Sequence, residues 1–255
     1  MASVNRDKIR AFTQEELDGM SRDELEESLM LLEELDQRAR RRAIWKYYPE
    51  DGLLSRHNYP KHIAFLNAGA KYRERLLISA NRIGKTEGIG GYEVTLHLIG
   101  IYPDWWEGKR FKRAVRVVVA GDTAKTTRDI IQAKMFGPSG REGEGLIPGH
   151  TIVRTTKKPG TPDAIDQAWV RHKSGQPSLL TFKSYDQGRV AFQGNEQEVI
   201  WLDEEPPLSV YSECVMRTMT TQGLIIMTFT PLMGVTEVVK LFMPDGTLSS
   251  AMNVG

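Results

Sequence analysis

Between residues 75 and 230 the chain carries five short apolar runs: "RLLISA" (75–80), "AVRVVVAG" (114–121), "SLLTFKSY" (178–185), "EVIWLDE" (198–204) and "GLIIMTFT" (223–230). Bounded apolar runs of this length read as strands covered on both faces, the situation of a parallel sheet. Helical patterns fall between several of them, at 86–98 and 126–136, so a mainly parallel sheet flanked by helices is the economical α/β architecture. With 255 residues, 40% of them hydrophobic, the chain can bury the core of one sizeable domain plus an appendage.

The appendage precedes the runs. Residues 13–46 are strongly charged and hold two capping-box patterns, Thr13 with Glu16 and Ser21 with Glu24, which predict helix. Leu25, Leu29, Leu32, Leu35 and Ala39 form one apolar stripe. Acids open this helix and "RARRR" (38–42) closes it, which suits the helix dipole; a DNA or partner contact is the sharper alternative for the arginines. "YYPEDG" (47–52) breaks the helix and marks a boundary near residue 50. Residues 137–175, rich in Gly, Pro and Lys, read as an irregular insertion.

A net charge of +1 gives no global reason to favour a polyanion, so any such binding must come from local clusters such as "KRFKR" (109–113) and "TTKKP" (155–159). The single cysteine, Cys214, has no thiol to pair with and no histidine at metal-ligand spacing, so neither a disulfide nor a zinc site is expected. The N-terminus lacks the apolar stretch of a secretion signal and no run is long enough to span a bilayer, which predicts a reducing, cytosolic setting.

The chemistry concentrates in three places. "LLISANRIGKTEG" (76–88) is a strand, a loop and a helix start in which Gly84, Lys85 and Thr86 complete a phosphate-binding pattern, while Ser79 stands where its first glycine belongs. In that setting backbone N–H groups and a helix N-terminus surround phosphate oxygens, Lys85 reaches the β- and γ-phosphates and the Thr86 hydroxyl ligates magnesium. The plain alternative is a strand-to-helix turn with an exposed lysine.

"VIWLDEEPP" (199–207) ends an apolar strand in consecutive acids, as a magnesium site at a sheet's carboxyl edge requires: Asp203 for the metal shell, Glu204 to polarise the attacking water. Glu205 reads as a helix-start acid. "MTFTPLMG" (227–234) then places Thr228 and Thr230 at a strand tip, where their hydroxyls could sense the γ-phosphate; ordinary β-propensity is the alternative.

"ANRIGKT", "YDQGRVAFQG", "VIWLDEEPP" and "TFTPLMG", in that order, resemble the large terminase subunits of tailed double-stranded-DNA bacteriophages, the last two most closely the short-tailed branch that packages by a headful mechanism. The resemblance covers most of the chain from about residue 45. It implies an ASCE-type P-loop ATPase at 51–240, between an N-terminal helical extension at 1–50 and, at 241–255, the start of a linker to an absent nuclease domain. No nuclease activity is therefore expected.

It also implies ATP and Mg2+ as cofactors, bound by the loop Ser79, Ala80, Asn81, Arg82, Ile83, Gly84, Lys85 and Thr86. Asp203 becomes the metal ligand, Glu204 the catalytic base, and Thr228, Thr230 and Pro231 a coupling motif. The implied partners are double-stranded DNA, the portal protein, the small terminase subunit and copies of the chain itself, monomeric in isolation and ring-forming on the procapsid, in the cytoplasm of the infected bacterium.

The family tolerates a non-glycine at the position of Ser79. Where relatives carry an adenine-reading glutamine this chain has His62, with Tyr59 able to stack on a base. Where many have a trans-acting arginine it has Gln193, with Arg189 four residues earlier as the trans candidate and Arg82 as a cis contributor. The rival readings are a helicase-like translocase, which needs a second RecA-like domain, and a nucleotide-sensing scaffold, against which Glu204 argues.

Overall fold

The computed structural model describes residues 20–21, 25–26, 28–30, 43–80, 83–230 and 236–243. The chain divides into two compact units, Met1–Arg40 and Arg41–Gly255. In the first, Leu25 and Leu29 of the expected stripe are exposed, and the Leu25 N–H donates to the Ser21 carbonyl at 3.0 Å. Thr13, Glu16, Glu24, Leu32, Leu35, Ala39 and the arginine run 38–42 lie outside the described residues.

The second unit is a seven-stranded sheet in the order β1-β7-β6-β2-β5-β4-β3. β1 (Glu74–Ile78), β7 (Leu224–Phe229), β6 (Val199–Asp203), β2 (Arg116–Gly121) and β5 (Pro177–Ser184) run parallel, so all five apolar runs become the strands expected of them. β7 is the additional strand between β1 and β6 that marks the ASCE arrangement.

The insertion is a correction to the sequence reading. It holds β3 (Ile152–Lys157) and β4 (Ile165–Arg171), which extend the sheet antiparallel beyond β5. Ile165, Ala168 and Val170 are buried while Gln167, Trp169 and Arg171 are not, so hydrophobicity alternates instead of persisting and no apolar run announces the strand.

Helices cover both faces. Lys85–Gly91, wound as a π-helix, continues into Tyr92–Ile99, together α2; Ala124–Thr126, Thr127–Gln132 and Ala133–Phe136 form α3. These pack with α1 (Pro60–Asn67) on Leu77, Val117, Val119, Trp201 and Ile226. α4 (Leu208–Met219) and α5 (Glu237–Leu241) cover the alternate residues Leu76, Val118, Ile200, Leu202, Ile225 and Met227, with Cys214 on the buried face of α4. Ala43–Lys46 corrects the end of the long helical reading: it is a 3-10 turn with Ile44 buried, after which the chain turns at Tyr48 (φ 58°).

A buried ion pair ties β1 to α2. Arg75 and Glu93 are both fully buried, and the guanidinium donates to the carboxylate at 2.5 and 3.1 Å and to the Phe65 carbonyl of α1 at 2.8 Å. His97 Nε2 lies 3.2 Å from the same carboxylate.

At Gly90 α2 approaches the sheet so closely that a Cβ would lie 2.0 Å from Trp201 Cε2. Gly90→Ala is therefore expected to cost about 1–3 kcal/mol through overpacking. A fall in melting temperature of roughly 2–10 °C is the measurement that checks it.

Candidate functional site

Parallel strands align their carboxyl ends, and in open α/β sheets ligands bind outside those ends. Here β1, β7 and β6 stop side by side at Ile78, Phe229 and Asp203, with Ser79, Thr230 and Glu204 following. The Ser79 N–H donates to the Phe229 carbonyl and the Glu204 N–H to the Thr228 carbonyl, at 3.3 and 2.9 Å, so pairing continues past the strand ends.

Gly84 caps α2 in the left-handed region, φ 86°, a conformation glycine adopts without steric cost. This turn brings Lys85 inward. Its ammonium donates to the Ser79 carbonyl at 3.0 Å, to the Ala80 carbonyl at 2.8 Å and to Thr230 Oγ1 at 2.7 Å. Lys85 is buried, so the alternative of an exposed lysine at an ordinary turn does not hold. Burial lowers its pKa, against the opposing pull of the Glu204 and Asp203 carboxylates.

Thr86, one residue on, donates to Asp203 Oδ2 at 3.1 Å, although 117 residues separate the two. Thr228 donates to Asp203 Oδ1 at 2.7 Å and accepts from the Trp201 indole at 2.8 Å. Burial is the main force on Asp203, pushing its carboxyl up to about 6; the Thr228 hydroxyl lowers it, the neighbouring Glu204 raises it, and Thr86 and Lys85 lower it.

Glu204 is exposed and, at φ 65°, occupies the left-handed region that a side chain rarely adopts. The Tyr185 hydroxyl lies 3.0 Å from both the Asp203 and the Glu204 carbonyls, bracing that turn from the residue just past β5. Such strain, held in place by its surroundings, is a recurring property of reactive positions.

One carboxylate and one hydroxyl at hydrogen-bonding distance are a donor set that suits magnesium shared with a triphosphate, since that ion takes few protein ligands and keeps waters and phosphate oxygens. Among the described residues no group of three or more His, Cys, Asp or Glu forms an all-protein metal cage.

The sites expected from the sequence divide in two. Ser79, Ala80, Lys85, Thr86, Asp203, Thr228 and Thr230 converge through the contacts above, with Gly84 and Glu204 at their edge. Tyr59, His62, Ile83 and Gly84 line an adjoining cavity. Arg189 is not brought to this cluster: its Nε donates to Glu213 Oε2 on α4 at 2.9 Å. Asn81, Arg82 and Pro231 lie outside the described residues.

Sequence reasoning missed Trp201, Tyr185 and Tyr48. Trp201 and Tyr185 read as strand filler, and Tyr48 as part of a helix-breaking turn. Only their polar tips act here, and composition gives no sign of where those tips point.

The family description "Terminase large subunit, T4likevirus-type, N-terminal" matches residues 76–249, more than half the chain. The chain belongs to the terminase large-subunit family.

Among curated proteins this terminase chain is similar to the large terminase subunit of Salmonella phage P22, 33% identical over 253 residues, with 91% of this chain and 49% of that protein covered. It therefore spans about half the length of that relative. Among solved structures it is similar to the large terminase of a thermophilic bacteriophage in complex with ADP, with a TM-score of 0.50 and 14% identity, covering 72% of this chain and 42% of that one. A likeness at that identity speaks for the fold alone. Among the described residues no helix is long and apolar enough to cross a membrane.

The raised Asp203 carboxyl has a measurable consequence. A carboxylic acid whose folded pKa of about 6 exceeds its unfolded value holds its proton more tightly when folded, so its contribution to stability is full below about pH 4 and is lost as pH rises through about 6. Asp203→Asn, which cannot ionise, is expected to raise metal-free stability at pH 7.5 by on the order of 2 kcal/mol, a gain that vanishes near pH 4. Urea unfolding at the two pH values measures both.

Proposed function

We propose that this chain is the ATP-hydrolysing motor domain of a large terminase, coupling hydrolysis to translocation of double-stranded DNA into a procapsid. One observation carries the reading: at the start of α2, Lys85 donates to Thr230 just past β7 while Thr86 donates to Asp203, which also accepts from Thr228 of β7, so adjacent residues of one helix start engage the carboxyl ends of β7 and β6. Family membership supports the same reading, as does the ADP bound to the structurally similar phage protein.

The roles follow from the donors and acceptors. The Lys85 ammonium, now spread over two carbonyls and a hydroxyl, has three N–H donors to offer to phosphate oxygens. Ser79, Ala80, Asn81, Arg82, Ile83 and Gly84 shape the loop around them. Thr86 and Asp203 would hold Mg2+, which supplies neutralisation of phosphate charge. Glu204, exposed beside Asp203, orients the attacking water and takes up its proton. Thr228 holds the acid and Thr230, two residues on along the same backbone, holds the lysine, so loss of the γ-phosphate is felt at the segment that follows β7. Phosphoryl transfer leaves little covalent work to the protein, so positioning and charge stabilisation carry the rate.

Arg189 is the trans-acting candidate and Arg82 the cis one. Half of the Arg189 side chain is exposed, and Glu213, buried at 1% exposure, also holds Arg217 at 3.0 Å. If Arg189 leaves for a neighbouring subunit, Glu213 keeps the Arg217 guanidinium as its ion-pair partner. DNA contact is electrostatic, through exposed cations such as Lys112, Arg113 and Lys157. Lys109 and Arg110 of the same run are engaged locally, with the Gln222 carbonyl and the Tyr102 ring. The assembly is a ring on the portal, working with the small terminase subunit in the infected bacterium.

Glu204→Gln is expected to keep nucleotide binding while lowering phosphate release about a hundred-fold or more. Lys85→Ala is expected to weaken binding itself by about ten-fold or more, read by calorimetry with magnesium; near-normal turnover in both variants defeats the assignment. For Arg189, mixing Arg189→Ala with Glu204→Gln subunits on procapsids restores turnover at mixed interfaces, and failure at every ratio removes Arg189 from the trans role.

A further inference from the structure

Glu204 is followed by Glu205, Pro206 and Pro207, so the connection from β6 to α4 has two consecutive positions with no N–H to tie it down. The left-handed turn at Glu204, φ 65°, must therefore be held by what lies around it. Two holds are on the backbone. The Glu204 N–H donates to the Thr228 carbonyl at 2.9 Å. The Glu204 carbonyl shares the single Tyr185 hydroxyl proton with the Asp203 carbonyl, each oxygen at 3.0 Å, so this second hold is divided between two acceptors.

A third hold comes from the side chain of Glu205. The Thr236 hydroxyl donates to its carboxylate and accepts from the Val239 N–H at 3.4 Å, capping α5. A hydroxyl has one proton and two lone pairs, so it serves both partners at once. The role of helix-start acid expected of Glu205 does not hold for α4, which begins at Leu208 with no acid in its first turn. The carboxylate reaches instead to the start of α5, 31 positions away. That helix is well seated: Val238 and Val239 belong to one buried cluster with Leu76, Met227 and Phe229. Just past it, the Phe242 ring stands edge-on to Tyr211 of α4, centroids 6.0 Å apart. Glu205 thus ties a strained turn to a packed helix through one charge-assisted hydrogen bond.

We infer that Glu205 is a positioning residue for the general base: clasped to Thr236, it holds the Glu204 carboxylate where the attacking water must meet it, and so makes turnover depend on the seating of α5. The inference rests on the assignment of Glu204 as the base and adds the contact that aims it. Pro206 confines Glu205 to extended backbone, so the side chain that reaches Thr236 and the turn that directs Glu204 move as one unit. A catalytic group displaced by about 1 Å can cost on the order of a hundred-fold in rate. Lys85 and Thr86 stand on α2 and make no contact with this latch, so its loss spares nucleotide binding.

The test is steady-state phosphate release on procapsids, with magnesium, over a range of ATP concentrations and below the melting temperature of every variant. Glu205→Ala and Thr236→Val are each expected to lower kcat about ten-fold while KM stays within about two-fold. The double variant is expected to lose about ten-fold as well, not a hundred-fold, because both substitutions break the same contact. Glu205→Gln keeps an oxygen that accepts from the hydroxyl, and Thr236→Ser keeps the hydroxyl; both are expected to return kcat to within about three-fold of the original chain. A loss that only loosened the fold would not separate kcat from KM in this way. Unchanged kcat in Glu205→Ala, a rise in KM in place of the fall in kcat, or losses that multiply in the double variant overturn the latch; Glu204 remains the base if Glu204→Gln still abolishes turnover. Full turnover in Glu204→Gln overturns the base assignment and this inference with it.

Discussion

Asp203 is a carboxylate taken out of water at the end of a parallel sheet, and the arrangement around it follows from the need to make that tolerable. A buried acid without partners neutralises itself. Two threonine hydroxyls prevent this from going to completion, Thr228 from the adjacent strand and Thr86 from the helix that starts opposite. Thr228 can aim its proton at the acid because its oxygen is already occupied by the Trp201 indole. Trp201 fits only because α2 carries a glycine over it. The chain of dependence thus runs from one missing Cβ on a helix, through an indole and a hydroxyl, to the carboxylate.

The same carboxyl, pushed up to about 6, is poised between forms. A divalent cation favours the ionised form far more than two hydroxyls do, so metal binding releases whatever proton remains. Free of metal, the site is costly to the fold, and the left-handed backbone at Glu204 adds to that cost. Sites of this kind break local rules that the rest of the chain obeys. Tyr185 shows how the cost is contained: from the turn after β5 its hydroxyl reaches both carbonyls of the acid pair and leaves the turn little freedom.

The parallel half of the sheet was legible because its strands are buried on both faces and so appear as unbroken apolar runs. β4 escaped because only one of its faces is buried; Trp169, its largest side chain, points outward beneath Arg154, 3.7 Å from the ring centroid. Lys85, Thr86, Asp203 and Thr228 could be named because each belongs to a short pattern whose spacing is dictated by local geometry. Tyr48 could not, since its part depends on a carbonyl 40 positions away and on an imidazole whose tautomer only three-dimensional hydrogen bonding decides. Arg189 illustrates the reverse. The resemblance offered it as a trans candidate four residues before Gln193, and the carboxylate that holds it, Glu213, faces inward from a helix that the motif does not include.

His62 and Lys85 lie on different helices, α1 and α2, whose separation something must fix. Arg75 supplies that registration. Its guanidinium, fully buried, stands on β1, binds Glu93 of α2 with two nitrogens, and donates to Phe65 of α1, three residues beyond His62. The strand before the phosphate loop, the helix after it and the helix carrying the imidazole are thereby joined at one planar, fixed-geometry group. A buried ion pair is a poor source of net stability, because desolvation consumes most of the Coulombic gain. A well-packed apolar trio could hold these three elements together as firmly. It could not fix their register, since apolar contacts slide where bidentate hydrogen bonds do not. The charge is therefore accounted for by position: it sets how far the His62 ring stands from the ammonium of Lys85.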